Sequence, residues 1–599
     1  MSTAPPLENA VINLAALREH ARNELIRVLD SVKGKKGLVL DPKLSGPLGL
    51  IAEGSLLKEH GVEKFYHLTE RLETECKTLI YLIRPKLSFM KCVADHIHEH
   101  QREEQKKQYN VFFVPRRTMI AERHLEEEGV YDDVVIGEYH LDLIPFEQDV
   151  LSLELEDSYR ECFLDGDRTS LFYMARSLMK IQSMFGIIPH IKGKGACAKS
   201  VMDMLVRMRR EMGRDEPTMI TPEIDTLILL DRQTDMVTPM CTQLTYEGMI
   251  DETFGIKNTY VELAEEMVSP PDEKKKDTAP RKPPGSKVPV PLNSNDRLYS
   301  EVRDLNFSVL GPFLNKRAKE VDDYYKKRYE FKTVTQIRDF MKGLPGYQQE
   351  HQSLRLHTNI CETIIGFTKG PEFRRRLEAE QSLLAGLDDS LDYIEECIDK
   401  KEPFLKVLRL LVLQCLTNGI KAKQFEYIKN EVLQTYGYEY LFTLNNLEKL
   451  GLLKGLEGKS TFGIVRKVFN LIVEDIDEKQ PTDIAYVYSG YAPLSVRLVQ
   501  HAMQPGGWRS IEEVLRALPG PTFEKEQQLP AGVIDDAGRG PRQNKVVLVV
   551  FLGGVTFTEI AALRFLSQQD ENTDYVVATT KLINGDSLLE SVFSFPDQL

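Results

Sequence analysis

Residues 226–239 read TLILLDRQTDMVTP, and this stretch decides the fold class. Its first five residues are apolar or β-branched without polar alternation, as in a strand that is buried on both faces of a parallel sheet. Asp231 ends the run, and Pro239 closes the segment that follows. Because a parallel sheet needs helices over both faces, the sequence predicts an α/β domain around this strand.

Apolar runs of the same kind recur toward the N-terminus, with helical segments between them. They predict strands at 38–40, 79–83 and 111–114. We therefore expect a first α/β domain at 1–135. A second α/β unit is predicted to begin with a strand at 134–136, to include a helix at 170–182, and to have 136–250 as its first part.

Residues 251–480 show almost only helical periodicity, and 334–368 is predicted to form one long helical hairpin. Residues 269–291 read SPPDEKKKDTAPRKPPGSKVPVP, which favours a flexible or extended loop. After 480 the α/β pattern returns, with strands predicted at 484–488, 546–552 and 575–578. We expect 481–599 to complete the second sheet, so that 251–480 is a helical domain inserted into the second α/β domain.

Composition narrows the range of partners. The 599 residues carry a formal net charge of −14, which disfavours nucleic acid and direct electrostatic docking on anionic lipid. We expect no signal peptide, because residues 1–10 show no positively charged region followed by an apolar one. We expect no bilayer-spanning segment, because no uncharged apolar stretch reaches about 18 residues. The eight cysteines form no Cys-x-x-Cys pair, which is typical of buried, reduced thiols.

Residues 193–200, GKGACAKS, resemble a phosphate-binding loop, with Asp231 as a possible magnesium ligand. Ala198 stands where the second glycine is needed, and Pro189 disfavours a central strand before the loop. The other interpretation is a helix N-terminus with a glycine-rich approach. A nucleotide-binding transport ATPase therefore stays open as the alternative function.

Two further motifs have structural and chemical interpretations. His96, His98 and His100 could bind a metal, but only His96 and His100 share a helix face, and a solvated helix end is the other interpretation. Gly553-Gly554 follows an apolar strand and could bind an anion at a helix start. A tight turn capped by Thr556 or Thr558 is the other interpretation.

Four blocks of sequence resemble one family. They are LLDRQTDMVTP at 229–239, QLTYEGMIDE at 243–252, YVYSGYAPLSVR at 486–497 and FLGGVTFTEIAALRF at 551–565. The first closely resembles the signature of the Sec/Munc-like (SM) family of fusion regulators, and the others continue the resemblance in the same order. The last two look most like the class C vacuolar protein-sorting branch, the SM subunit of the HOPS and CORVET tethers, and are nearer its A form than its B form.

The resemblance implies an α/β plus α arch of three domains, two of them parallel-sheet α/β domains and the third a helical domain inserted in the second. It implies a non-enzymatic activity without cofactor or metal: binding of syntaxin-like SNAREs and of assembled SNARE helices in a cleft, where an apolar stripe is read. Asp231, Arg232, Asp235, Pro239 and Asp251 are expected to have a structural role, since a buried Asp–Arg network at a strand end fixes how one domain sits on another; direct contact with a partner is the other interpretation. We expect Arg232 to pair with Asp231 or Asp235, and Thr238 to hydrogen-bond the turn.

Membership of the tether implies a stable partner, the C-terminal helical solenoid of a sister vacuolar-sorting subunit, docked at about 420–455. Lys429, Tyr436 and Tyr438 are the candidates, since tyrosine is favoured in interface hot spots and Gly437 should leave Tyr438 outside the core. Packing of these aromatics within the insertion is the other interpretation.

SNARE contacts are expected at Arg338, Lys342 and Arg355, although solvated surface charge explains them equally well. The resemblance also implies localisation: cytoplasmic and peripheral on late endosomes and lysosomes or vacuoles, and on early endosomes and autophagosomes, reached through partners rather than through direct membrane contact.

Overall fold

The computed structural model describes residues 4–211, 220–268, 286–326, 334–387, 390–456, 460–529 and 544–595, without some side chains of 334–340. The chain divides into two units. The first comprises residues 1–153 with 176–178, and the second comprises 154–175 with 179–599.

The first unit is built on a parallel sheet whose strands follow the order β2-β1-β3-β4-β5. Its strands are β1 (Lys36–Leu40), β2 (Val62–His67), β3 (Thr78–Ile83), β4 (Gln108–Phe113) and β5 (Val134–Glu138), followed by the antiparallel pair β6 (Ile144–Pro145) and β7 (Val150–Ser152). Its helices are α1 (Leu14–Ser31), α2 (Ser45–Ile51), α3 (Gly54–Glu59), α4 (Leu87–Arg102) and α5 (Met119–Glu127). The strands predicted at 38–40, 79–83 and 111–114 are confirmed.

The strand predicted at 134–136 as the start of the second α/β unit was assigned to the wrong sheet. Residues Val134–Glu138 pair in parallel with β4, so they form the fifth strand of the first sheet. The apolar run VVI predicted a strand correctly, but a run has no information about which neighbour it pairs with.

The second unit has its own sheet. Its strands are β8 (His190–Lys194), β9 (Thr226–Asp231), β10 (Ile256–Lys257), β11 (Tyr260–Ala264), β12 (Lys287–Pro291), β13 (Ile420–Lys421), β14 (Gly455–Leu456), β15 (Thr522–Glu526), β16 (Lys545–Leu552) and β17 (Thr573–Thr579). Five of these lie side by side in the order β15-β8-β9-β16-β17. β9 and β16 are parallel neighbours, so strands from before and after the helical region do complete one sheet, as predicted.

Helices fill most of the region between these strands. They are α6 (Ser158–Arg160), α7 (Thr169–Phe185), α8 (Ala196–Glu211), α9 (Val237–Met240), α10 (Tyr246–Phe254), α11 (Glu265–Val268), α12 (Arg297–Val302), α13 (Phe307–Lys326), α14 (Val334–Thr368), α15 (Pro371–Ala385), α16 (Leu391–Asp399), α17 (Phe404–Thr417), α18 (Ala422–Tyr436), α19 (Leu441–Lys449), α20 (Phe462–Val468), α21 (Leu494–Met503), α22 (Glu512–Leu515), α23 (Phe557–Gln569) and α24 (Gly585–Glu590). The boundaries at 250 and 480 stay predictions.

Three local predictions are wrong. Residues 334–368 form one continuous helix rather than a hairpin. The region 251–480 is not purely helical, because it also contains the antiparallel sheet β10-β11-β12. Residues 287–291, part of the loop predicted at 269–291, form the edge strand β12 of this sheet. Residues 269–285 of that loop lie outside the described residues. Ile484–Tyr488 is a 3-10 helix rather than a strand, because the Asp483 side chain caps it by accepting the Ala485 N–H at 2.9 Å.

Candidate functional site

Arg232 is the centre of a buried polar cluster at the carboxyl end of β9. Its guanidinium donates to both carboxylate oxygens of Glu559, at 2.8 and 2.9 Å. It also donates to the backbone carbonyls of Asp235, at 3.0 and 2.6 Å, and Gly554, at 3.2 Å. Burial alone would lower the pKa of Arg232, but the carboxylates of Glu559 and Asp235 reverse this effect and raise it. The cation is therefore permanent.

Asp235 connects this cluster to the segment after residue 490. Its carboxylate accepts the Thr238 N–H and hydroxyl, at 3.0 and 2.6 Å, and the Ser495 N–H at 2.9 Å. Thr238 in turn bonds the Tyr491 hydroxyl at 3.2 Å. The predicted hydrogen bonding of the turn by Thr238 is thus confirmed, and three of the four sequence blocks meet at one buried point.

The turn between β16 and α23 supplies Glu559. Gly553 and Gly554 have φ values of +97° and +119°, which favour glycine, and Thr556 and Glu559 form a reciprocal capping box. The tight-turn interpretation with Thr556 as the cap is confirmed. The turn aims the Glu559 carboxylate at Arg232 instead of leaving the helix start open to a solvent anion.

Asp231 does not pair with Arg232 by any described hydrogen bond or ion pair, in contrast to one of the two predicted pairings. Its carboxylate accepts the backbone N–H groups of Cys197, at 2.9 Å, and Ala198, at 2.6 Å, at the start of α8. Burial raises its pKa to about 6, against the opposing effect of these N–H donors. Asp231 is therefore the internal anion of a helix N-terminus.

This geometry bears on the phosphate-loop resemblance. β8 ends at Lys194 and α8 begins at Ala196, so Gly195 alone connects them and no loop is left to surround a phosphate. The expectation that Pro189 disfavours a central strand here was wrong, because β8 begins directly after it and lies between β15 and β9. The helix-N-terminus interpretation is confirmed, with Asp231 where a phosphate would have to bind.

A second buried cation, Arg409 of α17, was missed from the sequence. It donates to both oxygens of Glu252, at 2.7 and 3.0 Å, and to Asp586 at 3.1 Å. It also donates to the carbonyls of Met240 and Cys241. One side chain thus joins the helical region to α9, α10 and α24. In the sequence it appeared only as a cation inside the apolar run 404–415.

Asp251, predicted as a structural residue, lies close to this cluster. Its carboxylate accepts the Ile256 N–H at 2.9 Å and the amide groups of Asn584, at 2.9 Å, and Gln243, at 3.2 Å. Burial raises its pKa to about 6. Pro239 is one of the four residues of α9, which is buried throughout.

Two of the three histidines of α4, His96 and His100, are buried and bonded to neighbouring segments, whereas His98 is partly exposed. His96 bonds the Thr69 carbonyl at 2.7 Å and the Tyr81 hydroxyl at 3.3 Å. His100 bonds the Leu72 carbonyl at 3.2 Å and the Tyr109 hydroxyl at 3.1 Å. Both rings are buried, which lowers their pKa values, so the solvated-helix interpretation was wrong for this pair. Among the described residues no group of acidic, His or Cys side chains could hold a metal ion.

The structure separates the three predicted partner-binding residues. Tyr436 packs on Phe404 with ring centroids 5.1 Å apart and donates to the Glu402 carbonyl at 2.5 Å. Lys429 is ion-paired with Glu448 of α19. Tyr438, directly after Gly437, is 69% exposed. Packing within the insertion therefore describes Tyr436, whereas Tyr438 lies outside the core, as its position after glycine predicted.

The three predicted SNARE contacts do not form one patch. Arg338 and Lys342 are exposed on the N-terminal half of α14 and are one turn apart. Arg355 is half-buried, about 25 Å from Arg338 along the helix axis, and donates to the Val268 carbonyl at 2.6 Å.

The described contacts of the Arg232 and Arg409 clusters are those of structural ion pairs. Their carboxylates are saturated by guanidinium, hydroxyl and backbone donors, and the side chains of Arg232, Asp235 and Glu559 are at most 1% exposed. All eight cysteines lie within the described part of the chain and are free thiols. No helix in that part is long and apolar enough to cross a membrane.

Comparison with known proteins places this arrangement in context. The sequence model of the Sec1 family matches residues 36–591. Vacuolar protein sorting-associated protein 33A of Rattus norvegicus is 48% identical over 98% of both chains. The vacuolar protein-sorting-associated protein 33 homolog of Arabidopsis thaliana is 43% identical over 99% of both. The solved SM protein Vps45 in complex with Qa SNARE Tlg2 aligns with a TM-score of 0.59 at 17% identity, covering 96% of this chain and 97% of Vps45, which is a similarity of fold.

Proposed function

Because the chain belongs to the Sec1 family, as its four sequence blocks predicted, we propose that it is a non-enzymatic SNARE-binding and SNARE-assembly factor. The observation that carries this function is the full-length similarity to a vacuolar sorting protein, 48% identical over 98% of the chain. The fold of an SM protein solved with a Qa SNARE supports it. The factor serves fusion of vesicles, endosomes, autophagosomes and lysosomes or vacuoles.

The activity follows from helix recognition rather than from covalent chemistry. A SNARE helix would lie in a groove that reads its apolar stripe. Holding two such helices in register removes part of the entropic cost of pairing them, which speeds zippering without any reacting group. Arg338 and Lys342 are the exposed cations of α14 that we assign to acidic SNARE side chains, and Arg355 is a weaker candidate since it already bonds Val268.

Binding of the purified chain to a fluorescent Qa SNARE helix, and to the assembled SNARE bundle, tests this proposal. We expect saturable binding whose Kd is unchanged by ATP with magnesium, and a weaker Kd for Arg338→Glu/Lys342→Glu. A control with the same charge change, Arg207→Glu/Arg516→Glu, alters exposed positions on α8 and directly after α22 and should bind like the parent. Absence of binding to both SNARE forms would contradict the proposal.

We further propose that the chain is held in a HOPS- or CORVET-like tether by the C-terminal helical solenoid of a sister sorting subunit, docked on the surface around Tyr438. The supporting observation is an exposed tyrosine at a helix break, beside a second exposed aromatic, Phe442, on α19. Lys429, which is ion-paired with Glu448 of α19, is the further candidate for this surface. Localisation on late endosomes and lysosomes would follow from this docking.

Pull-down of the sister subunit with Tyr438→Asp tests the docking surface. We expect loss of the partner with unchanged SNARE binding, and release of the fluorescently tagged variant from endosomal membranes into the cytoplasm. Met119→Asp, at a position 87% exposed in the first unit, is the matched control and should retain the partner. Retained partner binding by Tyr438→Asp would remove this assignment.

A further inference from the structure

The last described residues of the chain, 592–595, cross the helix that carries the proposed docking surface. The Asn446 amide of α19 donates to the Val592 carbonyl at 2.9 Å and to the Ser594 hydroxyl at 3.1 Å. The Ser594 N–H donates to the Thr443 hydroxyl at 3.2 Å. Val592 and Ser594 are buried, so this segment is part of the packed structure.

Two phenylalanines of the same segment pack on aromatic residues next to Tyr438: Phe593 on Phe404 and Tyr440, and Phe595 on Tyr440. Phe593 lies 6.0 Å from Phe404 and 6.1 Å from Tyr440, measured between ring centroids. Phe595 lies 5.8 Å from Tyr440, and Tyr440 lies 4.2 Å from Phe404. All of these separations except the shortest lie within about 4.5–7 Å, the usual range for aromatic pairs. Because Tyr436 packs on the same Phe404, both neighbours of Tyr438 are fixed to one aromatic cluster.

The opposite side of the segment is bound by the α/β part of the unit. The guanidinium of Arg160, in α6, donates to the Phe593 carbonyl at 3.0 Å and to the Ser594 hydroxyl at 3.1 Å. Residues 592–595 thus lie between α6 and α19, with hydrogen bonds to each. Disturbing the segment would therefore break this hydrogen-bonded connection between α6 and α19.

We propose that residues 592–595 are a C-terminal strap that positions the docking surface of Tyr438 and Phe442 for the sister subunit. This inference rests on the proposed docking function. Tyr438, three residues before α19, and Phe442, within it, expose 69% and 40% of their surface and can contact a partner. The strap binds other residues of α19, the buried Thr443 and the partly buried Asn446. The strap acts through α19 and is not itself the contact.

The test uses the full chain carrying Phe593→Ala/Phe595→Ala. We expect the Kd for the sister solenoid to rise at least tenfold, amide exchange in 441–449 to speed up, and SNARE binding to stay unchanged as the internal control of folding. Phe593→Leu/Phe595→Leu keeps apolar volume and should restore most of the partner affinity. Should the alanine variant fail to fold, Phe595→Ala alone applies the same test more gently.

The outcomes separate this inference from the docking proposal. Loss of partner binding without faster exchange in 441–449 would make the strap a direct contact and overturn its positioning role. Faster exchange with full partner affinity would overturn it as well. Tyr438→Asp should lose the partner at parental exchange rates, and if it does not, the docking surface itself is misplaced whatever the strap does.

Discussion

The guanidinium groups of Arg232 and Arg409 are bonded to carboxylates instead of water, and each side chain is at most 4% exposed. Such a charge is tolerated only because its partners fit it: Glu559 meets Arg232, and Glu252 meets Arg409, each through two hydrogen bonds. Breaking a buried pair leaves one charge without compensation, whereas replacing both partners by apolar groups is often neutral. Each of these arginines therefore determines which distant segments of the chain pack against one another.

Arg232→Met tests this asymmetry. It leaves Glu559 and Asp235 buried without their cation, so the free energy of unfolding should fall by about 3–5 kcal/mol. Arg232→Met/Glu559→Leu should recover part of this loss, because Glu559 is no longer buried as an unpaired charge, although Asp235 still lacks its cation and α23 loses its capping box. Urea unfolding followed by intrinsic fluorescence measures both, and Arg516→Met, which breaks an exposed pair with Glu512, should cost less than about 1 kcal/mol. An equal loss in the single and double variants would contradict the assignment.

Glu247 gives the molecule a pH dependence. Burial, only partly offset by Arg564 and Arg303, raises its pKa from 4.5 to about 7. The folded chain keeps this proton where the unfolded chain has released it, so the stabilisation is complete below pH 4.5 and is lost as pH rises through 7.

Glu247→Gln removes this titration. The free energy of unfolding of the variant, relative to the parent, should therefore increase by about 2–3 kcal/mol between pH 5 and pH 8. Thermal denaturation at matched ionic strength measures it, with the exposed Glu571→Gln as control. A difference that is the same at both pH values would show that Glu247 ionises normally.

The connection between β16 and α23 shows what an element requires of its ends. Two glycines in left-handed backbone conformations turn the chain, and the capping box starts the helix within two residues. A side chain at Gly554 would place its Cβ 2.7 Å from Ile583. The turn therefore requires glycine at position 554.

Gly554→Ala should lower the free energy of unfolding by about 1–3 kcal/mol through backbone strain and this overlap. Gly463→Ala is the matched control, since a Cβ at that position would meet nothing within 4 Å in the described part of the chain, and α20 should gain up to about 1 kcal/mol from alanine. Differential scanning calorimetry should separate the two in sign. A Gly554→Ala chain as stable as the parent would mean that the turn adapts freely.

Elements were predictable where one local signal was sufficient. The runs at 79–83 and 546–552 are strands because each is too short and too uniformly apolar for an amphipathic helix. The run at 484–488 is also apolar and buried, but it forms a 3-10 helix. Residues far along the chain cover its side chains, and the Asp483 side chain caps its N-terminus. Tyr438 was placed correctly because Gly437 is a local signal, whereas Glu559 and Ser495 were missed as partners since only the fold brings them to Arg232 and Asp235.

At the scale of the whole molecule, the second sheet is assembled from distant parts of the sequence. Thr226–Asp231 pairs with 547–552, and Arg232 meets Glu559 across 327 positions of chain. Contacts this remote in sequence form late, because the intervening chain must first be ordered. The strands that follow the helical region therefore complete the sheet that begins before it.

A chain that ends at residue 480 should confirm this dependence. It lacks β15, β16 and β17, so β9 loses its neighbour on one side, and the second unit should not unfold cooperatively. Limited proteolysis should leave a protected fragment ending near 153, the bound of the first unit. Co-expression of 481–599 should restore the protected second unit. A stable second unit in the truncated chain would be incompatible with the shared sheet.

The Asp231 carboxylate competes with any phosphate for the backbone N–H groups at the start of α8. A phosphate from solution would have to displace a carboxylate that is tethered at the same helix start and never diffuses away, at an effective concentration of about millimolar or higher. Nucleotide binding at this helix start would therefore require the Asp231 carboxylate to leave its two backbone N–H donors.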